Sequence, residues 1–91
     1  MKKNGFDSRE NIAARVQQLI SSEFGVAPEK IDLTSKLGED LGLDSIDLCD
    51  ALVCMENETG KALPLEQFRA VTTVDDFVDQ TTTILWGGTE N

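Results

Sequence analysis

The sequence predicts an all-α fold, a bundle of three longer helices and one short helix with a long loop between the first two. Apolar residues recur at spacings of three and four in several segments, which is the period of a helix with one buried face. No segment alternates apolar and polar residues as a half-buried strand would. The 91 residues suffice for one domain with a modest core. We expect that domain at residues 8–86, between flexible tails at 1–7 and 87–91.

The first helix is expected over residues 8–24. The segment Asp7-Ser8-Arg9-Glu10 supplies an oxygen suited to a helix cap, and Gly25 is a typical stop signal. The apolar residues at helical spacing are Ile12, Val16, Leu19 and Ile20.

Residues 26–43 show no sustained period and predict a long loop. Pro28 is expected to break any helix here. Isolated apolar residues should pin the loop to the core, namely Ile31, Leu33, Leu37 and Leu41. At about 18 residues the loop exceeds the usual connection length, and such loops are often functional.

The second helix is expected to open at Asp44-Ser45 and to end at Gly60. Its buried face is predicted to consist of Leu48, Ala51, Leu52 and Met55.

A short helix should begin near Pro64, and Thr73 is a good cap for the last helix. The run Thr81-Thr82-Thr83 is weakly helical, so we expect the end of the last helix to fray before Gly87. The residues predicted to face inward from these two helices are Leu65, Phe68, Val71, Val74, Phe77, Val78, Ile84 and Leu85.

The charge of the chain limits its partners. It has 8 basic and 17 acidic residues and a net charge of -9. Nucleic acid is not expected as a partner, because phosphate contacts need clustered Lys and Arg. The acidity favours encounter with basic protein surfaces, or it serves only solubility. No stretch approaches the roughly 20 apolar residues of a membrane span, so we expect a cytoplasmic protein.

The two cysteines are expected to be free thiols in a reducing compartment. Cys49 and Cys54 are five residues apart, so their side chains diverge by roughly 140° on a helix and cannot bridge each other. They also lack the spacing and the histidine partners of a metal site, and we expect no metal.

The composition disfavours catalysis. The chain has no histidine, so Ser45 has no obvious base to activate it, and we expect no enzyme activity. However, a hydroxyl in the first turn of a helix is exposed, and a phosphate attached to it would lie near unpaired backbone N–H groups. Ser45 is therefore a suitable place to hold a phosphodiester. The alternative is that Asp44 or Ser45 is merely the helix cap.

The segment Asp40-Leu41-Gly42-Leu43-Asp44-Ser45-Ile46 closely resembles the attachment motif of the acyl carrier protein family, whose serine bears 4'-phosphopantetheine. Leu63-Pro64 after the second helix and Val71-Thr72-Thr73-Val74 before the last one also match the family's arrangement. The resemblance covers nearly the whole predicted domain.

This resemblance implies roles for particular residues. Ser45 would be the attachment site of 4'-phosphopantetheine. Asp44 would help to present it and would contact the magnesium held by the phosphopantetheinyl transferase that installs the arm. The acidic docking contacts for basic partner enzymes would be Asp47, Asp50 and Glu56. An adjacent apolar stripe, which could also belong to the core, consists of Ile46, Cys49 and Val53.

The resulting expectation is a monomeric carrier that holds acyl intermediates as thioesters. It would deliver them to acyl-transferring or condensing enzymes of fatty acid, polyketide or modified-lipid biosynthesis. One alternative is an unmodified acidic adaptor that acts only through protein contacts. Another is an aminoacyl or peptidyl carrier, although those more often have Gly and His before the serine, where this chain has Leu43 and Asp44.

The second helix also departs from the family pattern of Val, Leu and a late Phe, and has Cys49, Ala51 and Thr59 instead. These changes leave open whether the carrier serves general fatty acid synthesis or a dedicated pathway. The small Ala51 and Thr59 are expected to widen the space in which the family can house an acyl chain.

Overall fold

The structure, a computed structural model, describes residues 8–86 and is a helical bundle. The tails predicted at 1–7 and 87–91 lie outside the described residues. Within the described part there is no β-strand, only an isolated antiparallel bridge between Lys36 and Thr73. The helices in chain order are α1 (Arg9–Phe24), a first 3-10 helix (Pro28–Lys30), α2 (Ser45–Thr59), a second 3-10 helix (Leu65–Phe68) and α3 (Val74–Leu85). The predicted all-α bundle is confirmed, with one additional short helix.

The ends of α1 lie where the sequence predicts them. The hydroxyl of Ser8 accepts a hydrogen bond from the backbone N–H of Asn11 at 3.1 Å, which satisfies one of the free donors at the helix start. Gly25 ends the helix in a left-handed conformation, and Gly60 ends α2 in the same way. These boundaries depend on local hydrogen bonds, which is why sequence signals locate them.

A second capping arrangement begins α3. The hydroxyl of Thr73 accepts from the N–H of Asp76, and the Asp76 carboxylate accepts from the N–H groups of Thr72 and Thr73, each at 3.1 Å. These backbone hydrogen bonds lower the pKa of Asp76. The helix then continues through the threonine run to Leu85. Fraying of this end stays a prediction.

The core lies between the three α-helices. At its centre the rings of Phe68 and Phe77 pack with centroids 5.2 Å apart, and both side chains are buried. Several residues predicted to face inward are only half-buried at its edge, namely Leu48, Leu65, Val71, Ile84 and Leu85. Trp86 is 49% exposed and is not among the described side chains that pack against the core.

The long loop is tied to the start of α3. Ile31, Leu37 and Leu41 are buried as predicted, but Leu33 is 39% exposed, so that prediction is wrong. Leu33 attaches the loop through its backbone instead, since its carbonyl accepts the N–H of Asp75 at 2.9 Å.

Further backbone hydrogen bonds hold the same loop against α3. The N–H of Leu37 donates to the carbonyl of Thr72 at 2.8 Å, and the N–H of Val74 donates to the carbonyl of Ser35 at 3.0 Å. Pro28 does more than break a helix, because it opens the first 3-10 helix at a position where its missing N–H costs nothing. The loop is therefore a fixed part of the fold.

We expect Thr81→Val to stabilise the protein by about 1 kcal/mol. The Thr81 side chain is fully buried, and its hydroxyl has no hydrogen-bond partner among the described residues, so the fold carries a desolvation cost that valine removes. Thr82→Val is the matched control, because the Thr82 hydroxyl donates to the carbonyl of Val78 at 2.7 Å. Urea unfolding measures both variants. Equal losses of stability in the two variants would contradict this prediction.

Candidate functional site

Asp44 and Asp47 form a reciprocal capping pair at the start of α2. The Asp44 Oδ1 accepts the N–H of Asp47 at 2.9 Å, and the Asp47 Oδ2 accepts the N–H of Asp44 at 3.2 Å. The first helical bond follows, from the N–H of Leu48 to the carbonyl of Asp44 at 2.9 Å. Because Asp44 is the cap, Ser45 becomes the first residue of the helix and lies exposed on the surface.

The hydroxyl of Ser45 is not used by the fold. It makes no hydrogen bond to any described residue, and neither do the backbone N–H groups of Ser45 and Ile46. The capping alternative therefore applies to Asp44 and not to Ser45. An anion bound to the Ser45 oxygen would lie beside two free N–H donors at the positive end of the α2 dipole.

A tight turn leads the chain to this position. The carboxylate of Asp40 accepts the N–H of Lys36 at 2.8 Å, and the carbonyl of Lys36 accepts the N–H groups of Asp40 and Leu41. Gly42 follows with a φ of +73°, a conformation that costs other residues energy. The turn brings the chain to Asp44 in the direction that the capping pair requires.

A groove of about 360 Å³ opens beside Ser45. Its rim carries Lys36, Glu39, Asp44 and Ser45. Its apolar walls include Ile20, Leu37, Leu43, Leu48, Ala51 and Phe77. The groove therefore joins an exposed hydroxyl to an apolar interior, and it explains why Leu48 is only half-buried.

Of the two residues predicted to widen this space, only one lines it. Ala51 lies in the groove wall, but Thr59 does not line the groove. Thr59 is the last residue of α2, where its hydroxyl donates to the carbonyl of Met55 at 2.8 Å and accepts the N–H of Lys61 at 3.2 Å. The prediction for Thr59 is wrong because a polar contact within its own helix end engages the side chain.

The predicted apolar stripe lies on the outer face of α2. Ile46 is 71% exposed and Val53 is 53% exposed, while Cys49 between them is half-buried. Side chains of this size lose hydrophobic free energy when they face water, so two of them exposed on one helix are a feature of contact surfaces. Their role in docking stays a prediction.

The acidic residues predicted to dock partners differ in their surroundings. Asp50 is exposed and has no hydrogen bond or ion pair among the described residues. Asp47 belongs to the capping pair, and the carboxylate of Glu56 accepts the N–H of Leu63 at 2.7 Å. The contacts of Asp47 and Glu56 were not identified from the sequence. In both, a carboxylate accepts a hydrogen bond from a backbone N–H group, and the spacing of residues does not indicate such bonds.

Both cysteines are free thiols, as predicted. Burial raises the pKa of the Cys54 thiol, and the negative charges of Glu23, Glu58 and Asp50 raise it further. A raised pKa disfavours the reactive thiolate, so Cys54 is not suited to nucleophilic chemistry.

The comparison with known protein families bears on the same segment. The family described as the phosphopantetheine attachment site matches residues 14–80, a span that contains α2 and the groove beside it. Members of this family carry 4'-phosphopantetheine covalently on a serine. In addition, none of the helices within residues 8–86 is long and apolar enough to cross a membrane.

We expect Asp44→Ala to destabilise the protein by about 1 kcal/mol, because it removes the acceptor for the N–H of Asp47 at the start of α2. Asp44→Asn keeps an acceptor oxygen and should retain most of the stability. Chemical unfolding of the three proteins under identical conditions provides the measurement. An alanine variant as stable as the wild type would show that the capping pair does not hold the helix start.

Proposed function

Since the chain belongs to the phosphopantetheine attachment site family, we propose that it is an acyl carrier protein with 4'-phosphopantetheine on Ser45. The observation that carries this assignment is the exposed Ser45 hydroxyl, which no described residue engages, at the first position of α2. When bound, the arm supplies a thiol that holds an acyl group as a thioester.

The residues around Ser45 fit the phosphodiester at the root of such an arm. The free N–H groups of Ser45 and Ile46 can donate to its oxygens, and the helix dipole favours its negative charge. The exposure of Ser45 leaves room for a transferase to approach.

In this proposal Asp44 assists the transferase. Its Oδ1 is occupied by the N–H of Asp47, whereas its Oδ2 has no partner among the described residues. That second oxygen can contact the magnesium ion of a phosphopantetheinyl transferase. No described side chain hydrogen-bonds the Ser45 hydroxyl, so we expect the transferase to supply the base that takes its proton.

The outer face of α2 provides the docking surface in this proposal. Ile46, Cys49 and Val53 would make the apolar contact, and the free carboxylate of Asp50 would attract a basic partner surface. Asp47 and Glu56 keep one carboxylate oxygen each outside the bonds described above and would contribute less. A small, charged interface of this kind forms quickly and releases easily, which suits a carrier that visits several enzymes.

The groove supports an acyl chain as the cargo. Its apolar walls can bury methylene groups, each of which contributes about 0.8 kcal/mol when removed from water. Aminoacyl cargo has a polar group that these walls do not match. We therefore propose acyl-transferring and condensing enzymes of fatty acid, polyketide or modified-lipid biosynthesis as the partners.

An unmodified acidic adaptor is the alternative function. Such an adaptor would use the outer face of α2 in the same way, but it would not need an exposed hydroxyl beside two free N–H groups. The unused hydroxyl of Ser45 favours the carrier.

Attachment at Ser45 is tested by intact-mass measurement after incubation with coenzyme A, magnesium and a phosphopantetheinyl transferase of broad specificity. We expect the wild type to gain the mass of one phosphopantetheine and Ser45→Ala to gain none. Ser22→Ala removes another exposed hydroxyl, on α1, and should be modified like the wild type. A folded wild type that gains no mass, or modification of Ser45→Ala, would refute the assignment.

The role of the groove is tested by loading an octanoyl group on the arm. We expect the octanoyl form to melt several degrees above the unacylated holo form, since buried methylene groups stabilise the folded state only. Ala51→Leu should fill part of the groove and reduce this difference. Each variant is compared with its own unacylated form, which removes the effect of the substitution itself. Equal melting temperatures for the octanoyl and holo wild type would place the chain outside the groove.

A further inference from the structure

Lys36 is the one cation among the described residues that line the groove beside Ser45. The same rim carries the carboxylates of Glu39 and Asp44, in a chain with a net charge of -9. A lysine in this place is not part of the attachment motif, and among the described residues its ammonium group is paired only with Glu39.

The backbone of Lys36 is held firmly. Its N–H donates to the carboxylate of Asp40, its carbonyl accepts two N–H groups from the same turn, and it forms the bridge with Thr73. Only the side chain is therefore free to move, from a fixed position on the rim.

The ammonium group of Lys36 has only a weak partner. It lies 3.6 Å from a carboxylate oxygen of Glu39, and the two side chains are 50% and 78% exposed. Exposed pairs of this kind contribute little, because water and salt screen them and both side chains lose freedom. A nearby anion attached to a fixed part of the backbone can compete with Glu39 for this ammonium group.

The modification at Ser45 would introduce such an anion. A phosphodiester there adds a negative charge next to Asp44 and Asp47, whose carboxylates repel it. The two free N–H groups of the helix start offset this repulsion in part. Lys36 is the cation lining the same groove that can offset the remaining repulsion.

We propose that Lys36 pairs with the phosphodiester on Ser45 and acts as a positioning residue for the root of the arm. The inference rests on the proposed attachment at Ser45. The ammonium group exchanges the carboxylate of Glu39 for a phosphate oxygen in a charge-assisted hydrogen bond. Pairing across the rim directs the arm over the groove instead of away from it, so the pair promotes entry of the cargo into the apolar interior.

The test compares the apo and holo forms of the wild type, Lys36→Gln, Lys36→Arg and Lys61→Gln. Lys61 is a matched control, because it is exposed and lies beyond the far end of α2, roughly 20 Å from Ser45 along the helix. The readouts are the change in melting temperature from apo to holo and the phosphorus NMR shift of the phosphodiester. Intact mass confirms complete loading of each sample.

We expect Lys36→Gln to lower the apo-to-holo change in melting temperature by about 3 °C relative to the wild type at low salt. Lys36→Gln should also move the phosphorus resonance. Lys36→Arg should restore both values, and Lys61→Gln should alter neither. In 1 M salt the difference between Lys36→Gln and the wild type should disappear, because screening then acts over about 3 Å.

Two failures are distinguishable. If no variant gains the mass of the arm, the attachment at Ser45 is wrong, and the role of Lys36 is wrong with it. If all variants are loaded but Lys36→Gln and Lys61→Gln show the same melting change and the same phosphorus shift, attachment is correct and the pairing is refuted. A loss of stability in Lys36→Gln that is equal in the apo and holo forms would likewise refute it.

Discussion

The reciprocal hydrogen bonds between Asp44 and Asp47 are the interaction on which the functional end of this molecule depends. A helix start needs an acceptor for its free N–H groups, and the aspartate before the serine supplies it. Ser45 therefore does not cap the helix, and its hydroxyl is exposed to solvent without a hydrogen bond to any described residue. If the serine itself were the cap, its oxygen would be occupied by the helix and would be less accessible to a transferase. Asp44 thus caps the helix while Ser45 keeps a free hydroxyl, and one side chain could not fill both roles at once.

The groove depends on a second constraint, the attachment of the long loop to the start of α3. Three backbone hydrogen bonds, from Leu37, Val74 and Asp75, join the two segments. Because these bonds are made by the backbone, they hold the loop without fixing its side chains. The loop can therefore supply both the apolar wall at Leu37 and the exposed ammonium group of Lys36.

Ion pairs and hydrogen bonds, more than the number of acidic residues, determine which carboxylates of α2 remain free at the surface. Glu58 is paired with Arg15 at 2.6 Å, and Glu56 binds the backbone of the following loop. The exposed carboxylate of α2 that remains without a partner among the described residues is Asp50, close to Ile46 and Val53. The exposed side chains of Ile46 and Val53 and the unpaired carboxylate of Asp50 thus lie within the first nine residues of α2. In the proposed function, a partner attracted to this part of α2 would approach near the arm on Ser45.

The sequence by itself determined the three longer helices, where they begin and end, and the exposed serine, since capping and helical periodicity arise between residues at most four positions apart. It left open whether Asp44 or Ser45 is the cap of α2, and it did not indicate the 3-10 helix Pro28–Lys30. The motif around Ser45 also sufficed to recognise the family. Only the tertiary structure decided that Leu33 faces solvent, that Thr59 lies outside the groove, and that Glu56 is engaged by a backbone N–H. It also placed Lys36 on the rim beside Ser45. The exposure of Leu33, the lining of the groove and the position of Lys36 depend on which distant segments pack together, and the bond of Glu56 depends on the path of the chain after Gly60. The spacing of residues along one helix indicates neither.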